Sequence, residues 1–405
     1  MSRPPEGEPA PPDGTLPGPA REQLGRRPFG VYVHVPFCTA RCGYCDFNTY
    51  TASELGGGVS PASYRPLVEA ELALARRVLD GFPGPVGTVF FGGGTPSLLP
   101  ADDIVALLDA LGASFGLAGD VEVSVEANPE SLDRAYLDRL VAGGVTRLSL
   151  GMQSASPRVL AALDRVHTPG RVVEAVADAR AAGIGQLSLD LIYGAPGETA
   201  AEWRGSLDAA LSAAPDHVSA YALTVEPGTR LAARIGRGEL AGPDDDVLAD
   251  RYLLAEEVLS AAGLRWYEVS NWAGSRDARC RHNLGYWSGA DWWGFGPGAH
   301  SHVGGVRWWN VRHPSAYAEL ARAGRSPAAA REILDPGARQ LERVMLGLRI
   351  VEGLPLGELS ATGRRGAIRA AADGLLDPVA LADGRAVLTV RGRLLADAVV
   401  RDLTD

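Results

Sequence analysis

The chain has no lysine: all 39 residues counted as Lys+Arg are arginine. That absence removes Schiff-base catalysis, pyridoxal phosphate chemistry and the phosphate-binding lysine of a P-loop. Cysteine is scarce as well, with four in 405 residues. Three of them fall in one short stretch, which suits a reducing compartment better than a disulfide framework. No apolar run approaches the ~20 residues of a membrane span, and the N-terminus has no apolar signal core. A cytoplasmic protein is expected. The net charge of −10 gives no electrostatic footprint for nucleic acid. What is present is an ordinary globular composition, 46% hydrophobic and 22% charged, in a chain long enough for a large core and a second domain.

The most informative stretch runs from Val31 to Tyr50, VYVHVPFCTARCGYCDFNTY. Its alternating β-branched start predicts a strand, so Cys38, Cys42 and Cys45 lie just past a strand's end. Soft thiolates crowded together bind zinc or an iron–sulfur cluster far better than a hard cation. No fourth thiolate follows, because Phe47 stands where one would be expected. A cubane held by three cysteines leaves one iron open to a small molecule bearing an amino and a carboxylate group. Two other arrangements compete. The three cysteines fall at i, i+4 and i+7 and would share a helix face as inert core residues, although Pro36 and Gly43 oppose a regular helix. A zinc site closed by Cys280 or His282 is the second.

The run Cys38-x3-Cys42-x2-Cys45, with Tyr44 before the last cysteine, resembles the radical S-adenosylmethionine (SAM) signature. The flanking Tyr32-x-His34-x-Pro36-Phe37 narrows the resemblance to the oxygen-independent coproporphyrinogen III dehydrogenase-like family. It implies a [4Fe-4S] cluster on Cys38, Cys42 and Cys45 with SAM at the open iron.

Residues 1–28, rich in Pro, Gly and charge, are expected to form a disordered tail. From Val31, six strands alternate with helices: Val31–Val35, Thr88–Phe91, Val121–Ala127, Val145–Leu150, Gln186–Ile192 and His217–Leu223. This pattern predicts an α/β fold, a partial (β/α)6 barrel over 29–230 with its chemistry at the C-terminal strand ends. Gly92-Gly93-Gly94-Thr95-Pro96 follows the second strand; glycines permit positive φ and close backbone approach. Polar residues close the next three strands at Glu126, Gln153 and Asp190. The resemblance places SAM against Tyr32, Tyr44, Gly94, Thr95, Glu126, Gln153, Arg165 and Asp190, the acids suiting ribose hydroxyls and Arg165 the carboxylate. Arg165 lies in Leu163-Asp164-Arg165-Val166-His167, which keeps the family's arginine and histidine spacing; His167 reads equally well as a surface histidine.

Residues 231–405 are expected to be a C-terminal α+β domain: a helix from the Asp244 cluster to Ala262, a strand over Trp266–Ser270, a hairpin over Leu381–Val390 and a last helix over Gly392–Val400, with a winged-helix-like end. Between them lies a segment holding five of the eight tryptophans and three of the seven histidines, His282, His300 and His302. Flat apolar rings beside imidazoles suit a planar metallated macrocycle; they equally suit an interdomain seam. Lacking a fourth cysteine after Cys45, and carrying His282-Asn283-x-x-Tyr286-Trp287, the chain resembles the haem-chaperone subgroup of the family. That subgroup implies haem as a third cofactor, with His282 its ligand and His300, His302 or Cys280 the next candidates. It also implies a haem-acceptor protein, and an electron donor if SAM is cleaved. A homodimer and membrane association only through the acceptor complete the expected partners, with nucleic acid excluded. The competing functions are a radical SAM oxidoreductase acting on a porphyrinogen and a zinc-stabilised structural module.

Overall fold

The computed structural model describes residues 7–55, 59–82, 84–165, 168 and 170–404. Six parallel strands form its centre in chain order: β1 (Phe29–Val35), β2 (Val86–Gly93), β3 (Leu117–Ala127), β4 (Arg147–Gln153), β5 (Gln186–Tyr193) and β6 (His217–Ala222). Helices Pro61–Val78, Ala101–Phe115, Arg134–Ala142, Arg171–Ala182 and Ala200–Ser212 lie between them. Alternation decides which side of each strand meets those helices. Val31, Val33, Val89, Phe91, Val123, Val125, Leu148, Leu150, Leu187, Leu189 and Val218 are fully buried and form the core under the helices. The other face carries Tyr32, Glu126, Ser149, Gly151, Gln153, Ser188, Asp190, His217 and Ser219, which line a cavity of about 700 Å³. A closed (β/α) barrel fills its interior with bulky apolar side chains; small and polar ones leave this interior hollow.

The sheet does not stop with the barrel. On the β6 side it gains two antiparallel strands, β7 (Arg265–Glu268) and β8 (Asn271–Ala273). On the other side β9 (Asp291–Phe295) pairs in parallel with β1 and is followed by β10 (His300–Val303), β11 (Val306–Asn310) and β12 (Ala328–Ile333), making twelve strands in one sheet. The division expected at residue 230 therefore does not coincide with a break in the sheet. The segment after it covers both edges of the barrel, which would otherwise present unpaired backbone.

Two other expectations change. The disorder expected of residues 1–28 does not hold for residues 7–28. Leu16 and Ala20 are buried in the main core, and Glu8 exchanges backbone hydrogen bonds with Arg331 of β12 at 2.8 and 2.9 Å. Two apolar anchors, with Ala20 on the short helix Gly18–Arg21, and a free strand edge outweigh the composition. The hairpin expected over Leu381–Val390 is also absent. Asp377 caps a short helix, Pro378–Ala382, by accepting from Val379 and Ala380 N–H. Strand β14 (Arg385–Ala386) pairs instead with β13 (Leu354–Pro355). Helices Pro336–Gly347, Ala361–Ala372, Val390–Leu394 and Ala396–Thr404 surround this pair, with a separate core that includes Val344, Leu348, Leu376, Val399 and Leu403.

Candidate cluster and cofactor site at the barrel mouth

The cysteine loop leaves β1 at Pro36 and returns to it. Cys38 N–H donates to Tyr50 O at 3.0 Å and Tyr50 N–H to Pro36 O at 2.7 Å, pinching the loop at its base. Its tip is held from outside, where Gly43 N–H donates to Leu163 O at 3.1 Å and Gly43 O accepts from Leu231 N–H at 2.8 Å. A side chain at Gly43 would lie 2.5 Å from the Asp164 carboxylate, which would have to swing aside to admit it. No helix forms between Val35 and Ala52, which removes the inert helix-face arrangement of the cysteines. All three are half-buried and line the cavity. Burial pushes the Cys38 thiol up to about 11 and raises that of Cys45. Buried thiols of this kind ionise when a bound metal supplies positive charge.

The glycine loop lies against the cysteine loop. Gly94 N–H donates to Val35 O and Thr95 N–H to Phe37 O, both at 2.8 Å. Thr95 Oγ1 stands 3.9 Å from Cys38 Sγ. A Cβ at Gly94 would meet Phe37 O at 2.5 Å and Cys38 Sγ at 3.0 Å, and Gly93 adopts φ 116°. Glu126 accepts from Gly93 N–H at 3.0 Å. Burial, aided by the nearby Asp190 charge, pushes Glu126 up to about 8. Asp190, itself raised by burial against the opposing serine hydrogen bonds, accepts from Ser149 Oγ at 2.8 Å. Gln153 holds a left-handed φ of 62°, an uncommon conformation for a non-glycine residue that turns the end of β4. Arg165 donates through Nη1 to Cys42 Sγ at 3.6 Å and through Nη2 to Gly151 O at 3.2 Å. Its Nε is buried and has no partner. Tyr44 lines the same cavity and packs beside Leu163 and Ile192. The hydroxyl of Tyr32 is shared with His34 Nδ1 at 2.9 Å, and His34 Nε2 meets Asn48 O at 2.9 Å. His167 lies outside the described residues.

The structure thus brings Tyr32, Tyr44, Gly94, Thr95, Glu126, Gln153, Arg165, Asp190 and the three cysteines around one cavity. The donor set fits a three-cysteine cluster with SAM: soft thiols for iron, a guanidinium with a spare N–H for a carboxylate, and two buried carboxyls for hydroxyl or ammonium groups. Sequence reasoning missed Arg147, Ser149, Ser188, His217, Ser219 and Tyr221, which line the same cavity. Their signal was available, since Arg147-x-Ser149-x-Gly151-x-Gln153 and His217-x-Ser219-x-Tyr221 each alternate polar and apolar with the period of a strand.

The opposite end of the cavity is closed by helix Arg281–Ser288. Its first amides, Arg281 N–H and His282 N–H, donate to the two oxygens of Glu122 at 3.0 and 2.9 Å, a carboxylate at a helix N-terminus. His282 is 4% exposed. Its Nδ1 bonds Thr88 Oγ1 at 2.9 Å, its Nε2 bonds Tyr286 OH at 2.8 Å, and its ring stacks on Phe90 at 5.0 Å. Burial lowers its pKa to about 3, leaving a neutral imidazole with both nitrogens engaged. The haem-ligand role expected of His282 does not fit this geometry, because iron would have to displace one of those bonds in the closed floor of the barrel. Cys280, 3% exposed, directs Sγ toward Glu122 at 3.7 Å. Glu122 pairs with Thr88 near the start of β2, and the Thr88–Gly93 span at roughly 3.3 Å per residue puts roughly 15 Å between this level and the glycine loop. A zinc site joining Cys280 or His282 to the cysteine loop is therefore overturned. Of the two arrangements open to the tryptophans, the structure takes the packed one. Trp293, Trp308 and Trp309 are 3, 6 and 7% exposed, with Trp293 edge-on to Trp308 at 4.8 Å, so they fill the seam between strands and helices. His302 is buried, with Nδ1 3.0 Å from Ala290 O. His300 is exposed, its ring 6.1 Å from that of Trp309.

The Radical SAM superfamily model matches residues 32–210. A haem chaperone HemW of Mycobacterium tuberculosis is 56% identical over 377 residues, which cover 93% of this chain and 95% of that protein. The chain belongs to the HemW family of radical SAM proteins. HemW of Escherichia coli is 34% identical, with 82% of this chain and 86% of that protein covered. A Bos taurus relative, radical S-adenosyl methionine domain-containing protein 1, mitochondrial, is 35% identical, with 84% and 73% covered. Among solved structures, the radical SAM coproporphyrinogen III oxidase HemN of Escherichia coli superposes with a TM-score of 0.80 at 23% identity, covering 95% of this chain and 92% of that one. That likeness establishes the shared fold. Among the described residues no helix is long and apolar enough to cross a membrane.

Proposed function

We propose that this protein is a haem chaperone of the cytoplasm, which binds haem and passes it to an acceptor protein while carrying a [4Fe-4S] cluster and exchangeable SAM in its barrel. The observation that carries the proposal is the 56% identity, across nearly the whole of both chains, to the mycobacterial haem chaperone. Cys38, Cys42 and Cys45 would hold the cluster, which when bound supplies an open iron position and one-electron redox chemistry. Arg165 would pair with the SAM carboxylate, and the Gly94–Thr95 backbone would receive its amino-acid end. Glu126 and Asp190 would accept from ribose hydroxyls. Haem would be held away from this cavity, on the face that carries the exposed residue His300, whose ring stands beside Trp309.

Titration of the reconstituted protein with haem tests the proposal. A saturable Soret band and transfer of that haem to an apo-cytochrome are expected, and His300→Ala should shift the band. The same preparation, given SAM, reductant and coproporphyrinogen, should form no protoporphyrinogen. Sustained porphyrinogen turnover would replace the proposal with the oxidoreductase function.

A further inference from the structure

The segment ahead of the barrel clasps the sheet around its outer edge, β12. Residues between Ala10 and Leu16 lie with Trp293, Val306 and Trp308 on one side of the sheet. Gly7 meets the other side, which carries Trp309, the neighbour of Trp308 in the strand alternation. There His300 and Trp309 are cross-strand partners on β10 and β11, so their side chains share one face. A Cβ built on Gly7 would lie 2.8 Å from Cη2 of Trp309 and 2.6 Å from Arg331 O. The Gly7 main chain therefore rests directly on the indole, which is 7% exposed. The attachment is light. Glu8 exchanges backbone hydrogen bonds with Arg331 and pairs with its guanidinium at 2.6 Å, and Ser326 N–H donates to Pro12 O at 2.8 Å. Pro9, Pro11 and Pro12 have no N–H, so the pairing that Glu8 makes cannot run on as a strand. Gly14, at a φ of 72°, then turns the chain toward Leu16 and Ala20, which are fixed in the main core.

We propose that residues 7–13 are a removable strap lying where the macrocycle binds on Trp309, and that haem takes this face by lifting it. The proposal rests on the haem reading above and adds to it a stacking residue, Trp309, and a closed state of the site. An indole covered by a glycine main chain gains little apolar contact, whereas a flat macrocycle would bury far more of its ring. The strap therefore yields to haem and to little else. Its few hydrogen bonds can be exchanged for bonds to water, and the core anchors at Leu16 and Ala20 keep it beside the site while it is open. While it is closed, the apparent affinity for haem is the intrinsic one reduced by the open fraction.

The test uses the reconstituted full-length protein with iron protoporphyrin IX as the probe. Hydrogen exchange at the Glu8 and Arg331 amides reads the strap, and stopped-flow absorbance in the Soret region reads haem binding. Both amides should exchange faster in the wild type once haem is bound. The double variant Gly7→Val/Glu8→Arg places a side chain where Trp309 leaves no room and breaks the ion pair. It should bind haem roughly tenfold faster and tighter, with the cluster absorption unchanged. Glu22→Arg, the same charge change on an exposed residue of the same segment, should behave as wild type. Undiminished protection of the Glu8 and Arg331 amides in the haem-loaded wild type would overturn the strap, and this measurement decides even where the double variant does not fold. Unchanged haem binding by a double variant whose amides exchange freely would overturn it as well. A wild-type Soret band that is absent, or unmoved by His300→Ala, would instead overturn the haem reading itself.

Discussion

The mouth and the floor of the barrel use similar side chains and leave them in opposite states. At the mouth, Arg165 has a buried Nε without a partner, Glu126 and Asp190 are both held protonated more readily by burial, Glu126 also by the Asp190 charge, and three thiols face one cavity. Each of these is a cost that only a bound ligand offsets. At the floor, the groups of the His282-Asn283-x-x-Tyr286-Trp287 segment are turned on one another and on the barrel. His282 bonds Thr88 and Tyr286, and Glu268 is held by the side chains of Asn271, Trp287 and Asn283. A motif rich in ligand-type residues is thus spent on closing a cavity, whereas the thiols and carboxyls of the mouth face it. Arg147 is the exception at the floor, where its Nε and Nη1 have no hydrogen-bond partner and its Nε stands 3.5 Å from Glu122.

The comparison can be broken by substitution, beginning with the mouth. Cys38→Ala should abolish the cluster after anaerobic reconstitution, reducing iron from about four per chain to background by chemical assay; retained iron would mean that the three-cysteine assignment is wrong. His282→Ala should act on stability. Removing a buried ring that makes two hydrogen bonds and a stack is expected to cost about 2–4 kcal/mol in denaturant unfolding, with the Soret band of bound haem unmoved. A shifted band with unchanged stability would restore His282 as a haem ligand.

A pH effect comes next. The Glu126 carboxyl is raised from 4.5 to about 8, so the folded state holds a proton that the unfolded state has released. Its contribution is complete below the unfolded pKa and is lost as pH rises through the folded one. Glu71, Glu198 and Glu268, each pushed up to about 7 chiefly by burial, act in the same direction. The lowered His282 acts oppositely, but only as pH falls below its unfolded value near 6.5. The ligand-free protein should therefore lose stability between pH 6.5 and 8. Glu126→Gln should remove on the order of 1 kcal/mol of that loss, read as a flatter dependence of Tm on pH. The smallest effect is expected at the floor, where Cys280→Ser should leave the iron content unchanged. Loss of the cluster in that variant would make Cys280 a fourth ligand and close the open iron position.

Much of the barrel was legible in the sequence because strand, helix and cluster loop are local patterns. Val31-Tyr32-Val33-His34-Val35 alternates within itself, and the three cysteines need only one another to be noticed. The floor was not legible. His282 is 194 residues from Thr88, and its imidazole has the same identity whether it is saturated or free. The same holds for the tryptophans, whose burial depends on how β9–β11 join β1. The N-terminal segment misled for a related reason, since Leu16 and Ala20 offer little apolar surface until the rest of the core supplies their contacts. At Leu381–Val390, Asp377 and Pro378 are a readable helix start, a local signal that outranks the apolar alternation after it.

The twelve-stranded sheet also constrains how the chain is made. Its six central strands leave the ribosome first, in spatial order, with β1 and β6 as open edges. Those edges are covered only by β9 and β8, which lie beyond residue 270. For much of its synthesis the nascent barrel therefore exposes two long unpaired strands, the kind of surface that recruits a neighbouring chain. Expression yield should consequently depend on the speed of translation and on holdase chaperones until residues 271–295 have emerged. A version truncated at the barrel's end should aggregate even though Cys38, Cys42 and Cys45 are all present.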